Sequence, residues 1–390
     1  MTDQFDFDKI IDRRKSGSYK WDDHAGDADD MIQLWVADMD FQTAPAVIEA
    51  LRRRVDHGVF GYTFVSDDYY SALTDWFETQ HSYTIDRNNV IYTSGVVPAL
   101  SAIIKALTTP GDGVILNTPA YNCFFSSIRN NGCRIIENPL KRIDLKGGGF
   151  TYEFDFESLE RLASDADNKL FVLCNPHNPT GRVWRRDELN RIAEICARND
   201  VRVISDEIHC ELTMPGYDYL PYGTVDHWAV ICNSPSKAFN TAGLQIANII
   251  APDSETRSLI DRAININEVC DVNPFGVTGL IAAYRQGLPW LNALKSYLAG
   301  NYSLLQTFFR EHLHEYKVAE LEATYLAWID ISSSGKDADE IERMLCERAH
   351  VRVNGGEIYG DKRYIRINFA LPRTKLNEAL ERIAPVLSSL

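Results

Sequence analysis

Lys169-Leu170-Phe171-Val172-Leu173-Cys174 passes directly into Asn175-Pro176-His177-Asn178-Pro179-Thr180-Gly181. From Leu170 to Cys174 no polar residue interrupts the run, and turn formers close it. That is the pattern of a strand buried on both faces, as in a parallel sheet covered by helices. The same grammar recurs twice. Val201-Arg202-Val203-Ile204-Ser205 ends in Asp206-Glu207-Ile208-His209, and Trp228-Ala229-Val230-Ile231-Cys232 runs through Asn233 into Ser234-Pro235-Ser236-Lys237. Three strands therefore end in polar clusters. The 31 residues from Asp206 to Lys237 suffice for one crossover and the next strand, so these two ends can converge.

Further strands are expected at residues 90–93, 113–117 and 246–250, with helical patterns between several of them. The clearest helix is Arg186 to Cys196, where Leu189, Ile192, Ala193 and Cys196 share a face. From about Pro289 the pattern changes to a long helix, a strand at 324–330, a helix near 338–348, a strand at 364–369 and a final helix. The expected fold class is α/β, with a large domain over 46–288 built on a mostly parallel sheet and a smaller α+β domain over 289–390. A chain of 390 residues with 45% hydrophobic composition can bury two such cores. Gly147-Gly148-Gly149 marks a loop tip.

Charge and cysteine usage exclude several function classes. With 40 basic against 55 acidic residues the net charge is −15, which argues against a nucleic-acid surface. No apolar run approaches a membrane span. The start, Met1-Thr2-Asp3-Gln4-Phe5-Asp6-Phe7-Asp8, is acidic and lacks the apolar core of a secretory signal. The eight cysteines show no paired metal spacing and read as reduced, buried thiols of a cytoplasmic protein. Asp206 to Glu211 contains metal-capable side chains, but strand alternation would split them over two faces, so no metal site is expected. Cys210 reads as a buried or site-lining thiol rather than a nucleophile.

The chemistry lies in the strand-end clusters. A lysine amine condenses with an aldehyde and serine hydroxyls bond a phosphate, and pyridoxal 5'-phosphate carries both groups. Lys237 with Ser234 and Ser236 supplies the first requirement. The cofactor also needs a carboxylate facing its ring nitrogen and a neutral donor at its phenolic oxygen, which Asp206 and Asn178 can provide. Ile91-Tyr92-Thr93 followed by Ser94-Gly95 and a helix from Val96 would aim free amides and a positive dipole end at an anion. On its own, this last stretch equally fits a plain strand-to-helix connection.

Taken together, these runs resemble the fold-type-I pyridoxal-phosphate enzymes related to class I and II aminotransferases. Trp35-Val36-Ala37-Asp38-Met39-Asp40-Phe41, His57-Gly58-Val59-Phe60-Gly61-Tyr62 and Gly95-Val96-Val97-Pro98-Ala99-Leu100 are similar to the carbon–sulfur lyase branch, cystathionine β-lyases included. The resemblance implies a seven-stranded sheet in the large domain and an N-terminal segment, 1–45, that packs with the small domain. It implies phosphate binding by the Gly95, Val96 and Val97 amides, Ser234 and Ser236, with Tyr62 reaching in from a second subunit. The active sites of a homodimer would then be composite. Lys237, Tyr121 and Asp206 are the implied catalytic residues, Tyr121 by stacking on the pyridine ring. Asn178 and His209 complete the cofactor set, and Arg366, Asp38 and Tyr62 the substrate set, Arg366 clamping the carboxylate.

Two departures from the aminotransferase pattern accord with the lyase branch. Gln245 stands where many of those enzymes carry a phosphate-binding arginine, and His209 where many carry a tyrosine. Histidine differs from tyrosine in titrating near neutrality. The implied reaction is β-elimination from L-cystathionine or related cysteine S-conjugates to a thiol, pyruvate and ammonia, a step of sulfur amino acid metabolism such as methionine biosynthesis. An aminotransferase sharing the same apparatus is the nearer alternative, and a regulatory or binding protein on the same fold the more distant one.

Overall fold

The structure, a computed structural model, describes residues 5–23, 28–266, 268 and 272–390. Residues 1–4 of the acidic start, and Cys270 among the cysteines, lie outside the described residues. Seven strands form the main sheet: β1 (Val90–Thr93), β2 (Gly113–Thr118), β3 (Arg134–Pro139), β4 (Asn168–Cys174), β5 (Arg202–Asp206), β6 (Val230–Asn233) and β7 (Ala247–Ile250). Their order is β1-β7-β6-β5-β4-β2-β3. Only β7 runs antiparallel to its neighbours, so the sheet is mostly parallel, as the apolar runs imply. β3 is the member that no apolar run announces. It is an edge strand in which Arg134, Glu137 and Pro139 are exposed, so burial never selected a continuous apolar pattern there.

Alternation in the strands sorts the side chains into two cores. Leu170, Val172 and Cys174 join Ile204, Val230 and Cys232 on one face. Phe171 and Leu173 join Val203 and Ile231 on the other. The first face is covered by α1 (Val96–Leu107), which packs against the helix Ser254–Asn265. Helices Pro45–His57 and Asp67–His81, both packed on Pro274–Gln286, contribute to the second. The helix expected from Arg186 runs to Arg198, and Glu188 reaches back to accept from the Arg185 N–H at 2.8 Å, which closes its first turn.

A second sheet is antiparallel: β8 (Lys317–Val318), β9 (Leu326–Asp330), β10 (Asn354–Gly355) and β11 (Tyr364–Asn368), in the order β8-β9-β11-β10. The long helix Leu288–His312 and the last helix Arg373–Leu387 pack on each other beside it. The chain near residues 32–40 runs along this sheet. Ile32–Gln33 pairs in parallel with Val351–Arg352, and the Asp40 N–H donates to Ala370 O at 2.9 Å. Gly147-Gly148-Gly149 is the tip of the hairpin Lys141–Asp144/Phe150–Glu153, with Gly148 and Gly149 at φ 83° and 80°, where glycine meets no Cβ penalty. Among the described residues no helix is long and apolar enough to cross a membrane.

Candidate active site

Parallel strands bring their C-terminal ends to one edge of a sheet, and the loops leaving that edge enclose a crevice. Here the loops after β1, β2, β4, β5 and β6 surround a cavity of about 330 Å³. Gly95, Val96 and Val97 enter it from the start of α1, Tyr121 from the loop after β2, and Asn178 from the run after β4. Asp206 and His209 come from the end of β5, and Ser236 and Lys237 from the turn after β6. The structure thus gathers most of the residues singled out in the sequence around one space.

Lys237 is half-buried, and its Nζ donates to the Ala37 carbonyl at 2.7 Å. Burial and the nearby Arg366 guanidinium push its amine down to about 8, against Asp38 and Asp206, which raise it. Asp206 is buried, and the Ile208 N–H donates to its Oδ1 at 3.1 Å. Burial lifts its carboxyl to about 7, although that N–H and Lys237 both favour the charged form. His209 does not titrate near neutrality as its residue type suggests. Burial, Lys237 and Arg366 hold its imidazole well below the ordinary value, so it stays neutral. Burial likewise raises the Tyr121 phenol, which keeps its proton.

Arg366 sits in β11 and is buried. Its Nη1 donates to Asn178 Oδ1 at 3.3 Å and its Nη2 to Trp35 O at 2.8 Å. The guanidinium carbon lies 4.7 Å from the centre of the Tyr359 ring, a cation–π arrangement that fixes its plane. Its Nε has no hydrogen-bond partner among the described residues. Ser234 has a shaping role: its Oγ donates to Ile246 O at 2.7 Å and accepts from the Ser236 N–H at 3.1 Å, which holds the turn that presents Lys237. Gln245 also lines the cavity, with its backbone in the left-handed region at φ 53°.

Four singled-out residues do not line the cavity in this chain: Ser234 and Arg366, which bond Ser236 and Asn178 of its lining, and Tyr62 and Asp38. Tyr62 is 100% exposed, beside the exposed Val59, Phe60 and Phe64. Asp38 directs its carboxylate to Arg13, which approaches Oδ1 at 3.0 Å and Oδ2 at 2.7 Å. The run Asp206 to Glu211 is divided by a turn rather than by strand alternation, since β5 ends at Asp206. Glu211 Oε1 lies on the far side, where it accepts from Trp76 Nε1 at 2.6 Å and bonds His81 Nε2 at 2.8 Å. With Cys210 this makes a compact polar group whose carboxylate already has protein partners.

Residues that the sequence reading passed over complete the site. The carbonyls of Trp35 and Ala37 leave no signature in a sequence, and Tyr325 and Tyr359 read as ordinary core tyrosines. In the structure the Tyr325 hydroxyl donates to Ala37 O at 2.9 Å.

The arrangement fits pyridoxal phosphate on its own terms. A buried carboxylate whose one hydrogen-bond donor among the described residues is on its Oδ1 is matched to a protonated ring nitrogen, and His209 Nδ1, buried without a partner among the described residues, suits a polar ligand atom. The amides opening α1 after Gly95, which no side chain caps, suit a phosphate.

The family described as aminotransferase class I and II matches residues 29–383. Cystathionine beta-lyase PatB of Bacillus subtilis is 37% identical over 98% of this chain and 100% of its own length. Protein MalY of Escherichia coli is 35% identical over 96% of this chain and 97% of its own. Among solved structures, cystalysin from Treponema denticola, which contains a pyridoxal 5'-phosphate cofactor, is 34% identical. It superposes with a TM-score of 0.94 over 99% of both chains.

Proposed function

Because this chain belongs to the class I and II aminotransferase family, we propose that it is a pyridoxal-phosphate-dependent carbon–sulfur β-lyase acting on L-cystathionine or related cysteine S-conjugates. The observation that carries the reading is the convergence of Lys237 and Asp206 on one cavity, with Arg366 bonded to Asn178 of its lining, in a chain so similar to cystathionine beta-lyase PatB.

Gly95, Val96 and Val97 amides and Ser236 would hold the cofactor's phosphate, Asp206 its ring nitrogen, Asn178 and His209 its phenolic oxygen, Tyr121 its ring face and Lys237 its aldehyde carbon. When bound, that group supplies an electron sink for the bonds at the substrate's Cα. Arg366 grips the substrate carboxylate with its planar fork and so fixes which Cα bond faces Lys237. Lys237, its amine brought close to neutrality, takes the Cα proton as general base. Asp206 would share a proton with the ring nitrogen it faces, a pairing that favours its charged form against burial. Neutral His209 donates without adding a charge. The Cα–H electron pair forms the Cα=Cβ bond as the Cβ–S pair leaves with sulfur, which departs as a thiol once protonated, and the remaining three-carbon enamine takes up one water to give pyruvate and ammonia.

L-Cystathionine is expected to give homocysteine, pyruvate and ammonia without any keto-acid acceptor, measured as thiol and pyruvate released in equal amounts. Conversion to the keto acid with both thioether bonds intact, and only with an amino acceptor, would replace this reading with transamination.

The same reading places the second subunit's Tyr62 at the phosphate, and it is supported by the exposed patch Val59, Phe60, Tyr62 and Phe64. A homodimer follows, each subunit divided into a large domain, 46–288, and a small domain, 289–390, with which residues 1–45 pack. A cytoplasmic location is supported by the seven free cysteines among the described residues. Mixing a Tyr62→Phe chain with a Lys237→Ala chain should regenerate one working site per mixed dimer, read as activity recovered on mixing two impaired proteins. No recovery would mean that Tyr62 serves its own subunit or none.

A further inference from the structure

Residues 35–41 form neither strand nor helix, yet side chains from distant parts of the chain bond their backbone at Trp35, Val36, Ala37, Asp38, Met39 and Phe41. Along one side, their carbonyls hold the working side chains. Trp35 O accepts from Arg366, and Ala37 O accepts from both Lys237 Nζ and the Tyr325 hydroxyl. Asn368 Nδ2 donates to Val36 O at 2.5 Å and Asp38 O at 2.6 Å, tying the segment to β11. Asn240, three residues beyond Lys237, donates to Met39 O at 2.9 Å and Phe41 O at 2.8 Å and accepts from the Met39 N–H at 2.9 Å. The segment is a strap lying between the lysine turn and the second sheet.

On its other side the strap carries Asp38 and Asp40, and two bases, Arg13 and Lys20, span both. Arg13 pairs with Asp38 Oδ2 at 2.7 Å and Asp40 Oδ1 at 2.7 Å, and its Nη1 also donates to Met39 O at 3.1 Å. Lys20, only 1% exposed, lies 3.6 Å from Asp38 Oδ1 and 3.0 Å from Asp40 Oδ2, and Trp21 Nε1 donates to Asp40 Oδ1 at 2.9 Å. Two acids are balanced by two bases. Such a buried cluster is poor evidence of net stabilisation, because desolvation opposes the pairing, but its geometry tolerates few alternatives. A guanidinium fork is suited to it, since its donors point in fixed directions.

We propose that Arg13 is a positioning residue of this enzyme: by bridging Asp38 and Asp40 it sets the strap so that the Ala37 and Trp35 carbonyls hold Lys237 and Arg366 in mutual register. Its importance for turnover rests on the lyase reading above. Its control of the strap does not.

The test compares the parent protein with Arg13→Met and Arg13→Lys, both as cofactor-free protein and loaded with pyridoxal phosphate. In cofactor-free Arg13→Met, hydrogen exchange should rise in peptides covering 35–41 and stay unchanged in those covering 170–174. The labelling rate of Lys237 by an amine reagent should change with it. In the loaded enzyme, kcat for cystathionine cleavage should fall by about 10²-fold, the scale expected when a remote change misplaces reacting groups. Arg13→Lys should recover part of that loss, because it restores one charge pair but not the fork. Unchanged exchange over 35–41, or raised exchange with undiminished cleavage, overturns the proposal. If Arg13→Met does not fold, Arg13→Lys alone decides by the same readouts. If the parent fails to cleave cystathionine, the lyase reading falls, and the exchange and Lys237 labelling arms still judge Arg13.

Discussion

Lys237→Ala is expected to lower the turnover of cystathionine by about four orders of magnitude, the upper end of what a positioned proton carrier contributes. Tyr121 and His209, which also line the cavity, are poor replacement bases. The Tyr121 phenol is pushed up by burial and keeps its proton, and the His209 imidazole, though neutral, is better placed by chemistry to donate than to accept from carbon. The same lysine should be identifiable without turnover. Borohydride reduction of the loaded protein followed by peptide mapping should fix the cofactor on Lys237, whereas the exposed Lys105 and Lys169 should remain unlabelled. A label on either of those would sink the assignment.

A titration adds an independent check. In the cofactor-free protein, burial and Arg366 bring Lys237 down to about 8, whereas an ordinary lysine titrates near 10.4. The deprotonated amine is the reactive form, so labelling of Lys237 by an amine reagent should climb through about pH 8. A free lysine side chain at equal intrinsic reactivity lags by roughly two pH units. A midpoint above pH 10 would show that the cavity leaves this amine unperturbed.

Arg366→Ala should cost about 2–5 kcal/mol in transition-state stabilisation, the usual penalty for truncating one partner of a buried, hydrogen-bonded charge pair. That corresponds to a loss in kcat/KM of about 30-fold to a few thousandfold. The guanidinium is held in plane by the Tyr359 ring, Asn178 Oδ1 and Trp35 O before any substrate arrives. The substrate carboxylate therefore meets a preset fork, and its loss should lower kcat as well as raise KM, because the Cα bond is no longer aimed at Lys237. Arg366→Lys should fall between, keeping the charge without the fork. Wild-type kcat/KM in Arg366→Ala, with the fold intact by its melting curve, would remove Arg366 from the site.

Much of this was legible in the residues themselves. Strand burial is a local property, so Leu170 to Cys174 and Val230 to Cys232 announced the central strands, and the polar clusters after them announced where a site would open. Lys237, Asp206 and Asn178 were legible for the same reason, since each terminates a run whose direction in a parallel sheet is set. β3 was illegible because an edge strand with exposed Arg134 and Glu137 has no apolar period to read.

Other features depended on partners far away in the chain. Asp38 looks available in the sequence, but an arginine 25 residues earlier occupies its carboxylate, and the Ala37 carbonyl serves a lysine 200 residues later. His209 carries the residue type of a neutral-pH switch, yet its surroundings, assembled from β5, β6 and β11, hold it uncharged. Tyr62 could be assigned to a site from its motif, but only the folded chain reveals that it stands fully exposed, away from its own subunit's cavity. Periodicity and turn chemistry act over a few residues and are written in the sequence. Charge state, hydrogen-bond partnership and the aim of a backbone carbonyl arise from groups that only tertiary packing brings within a few ångströms.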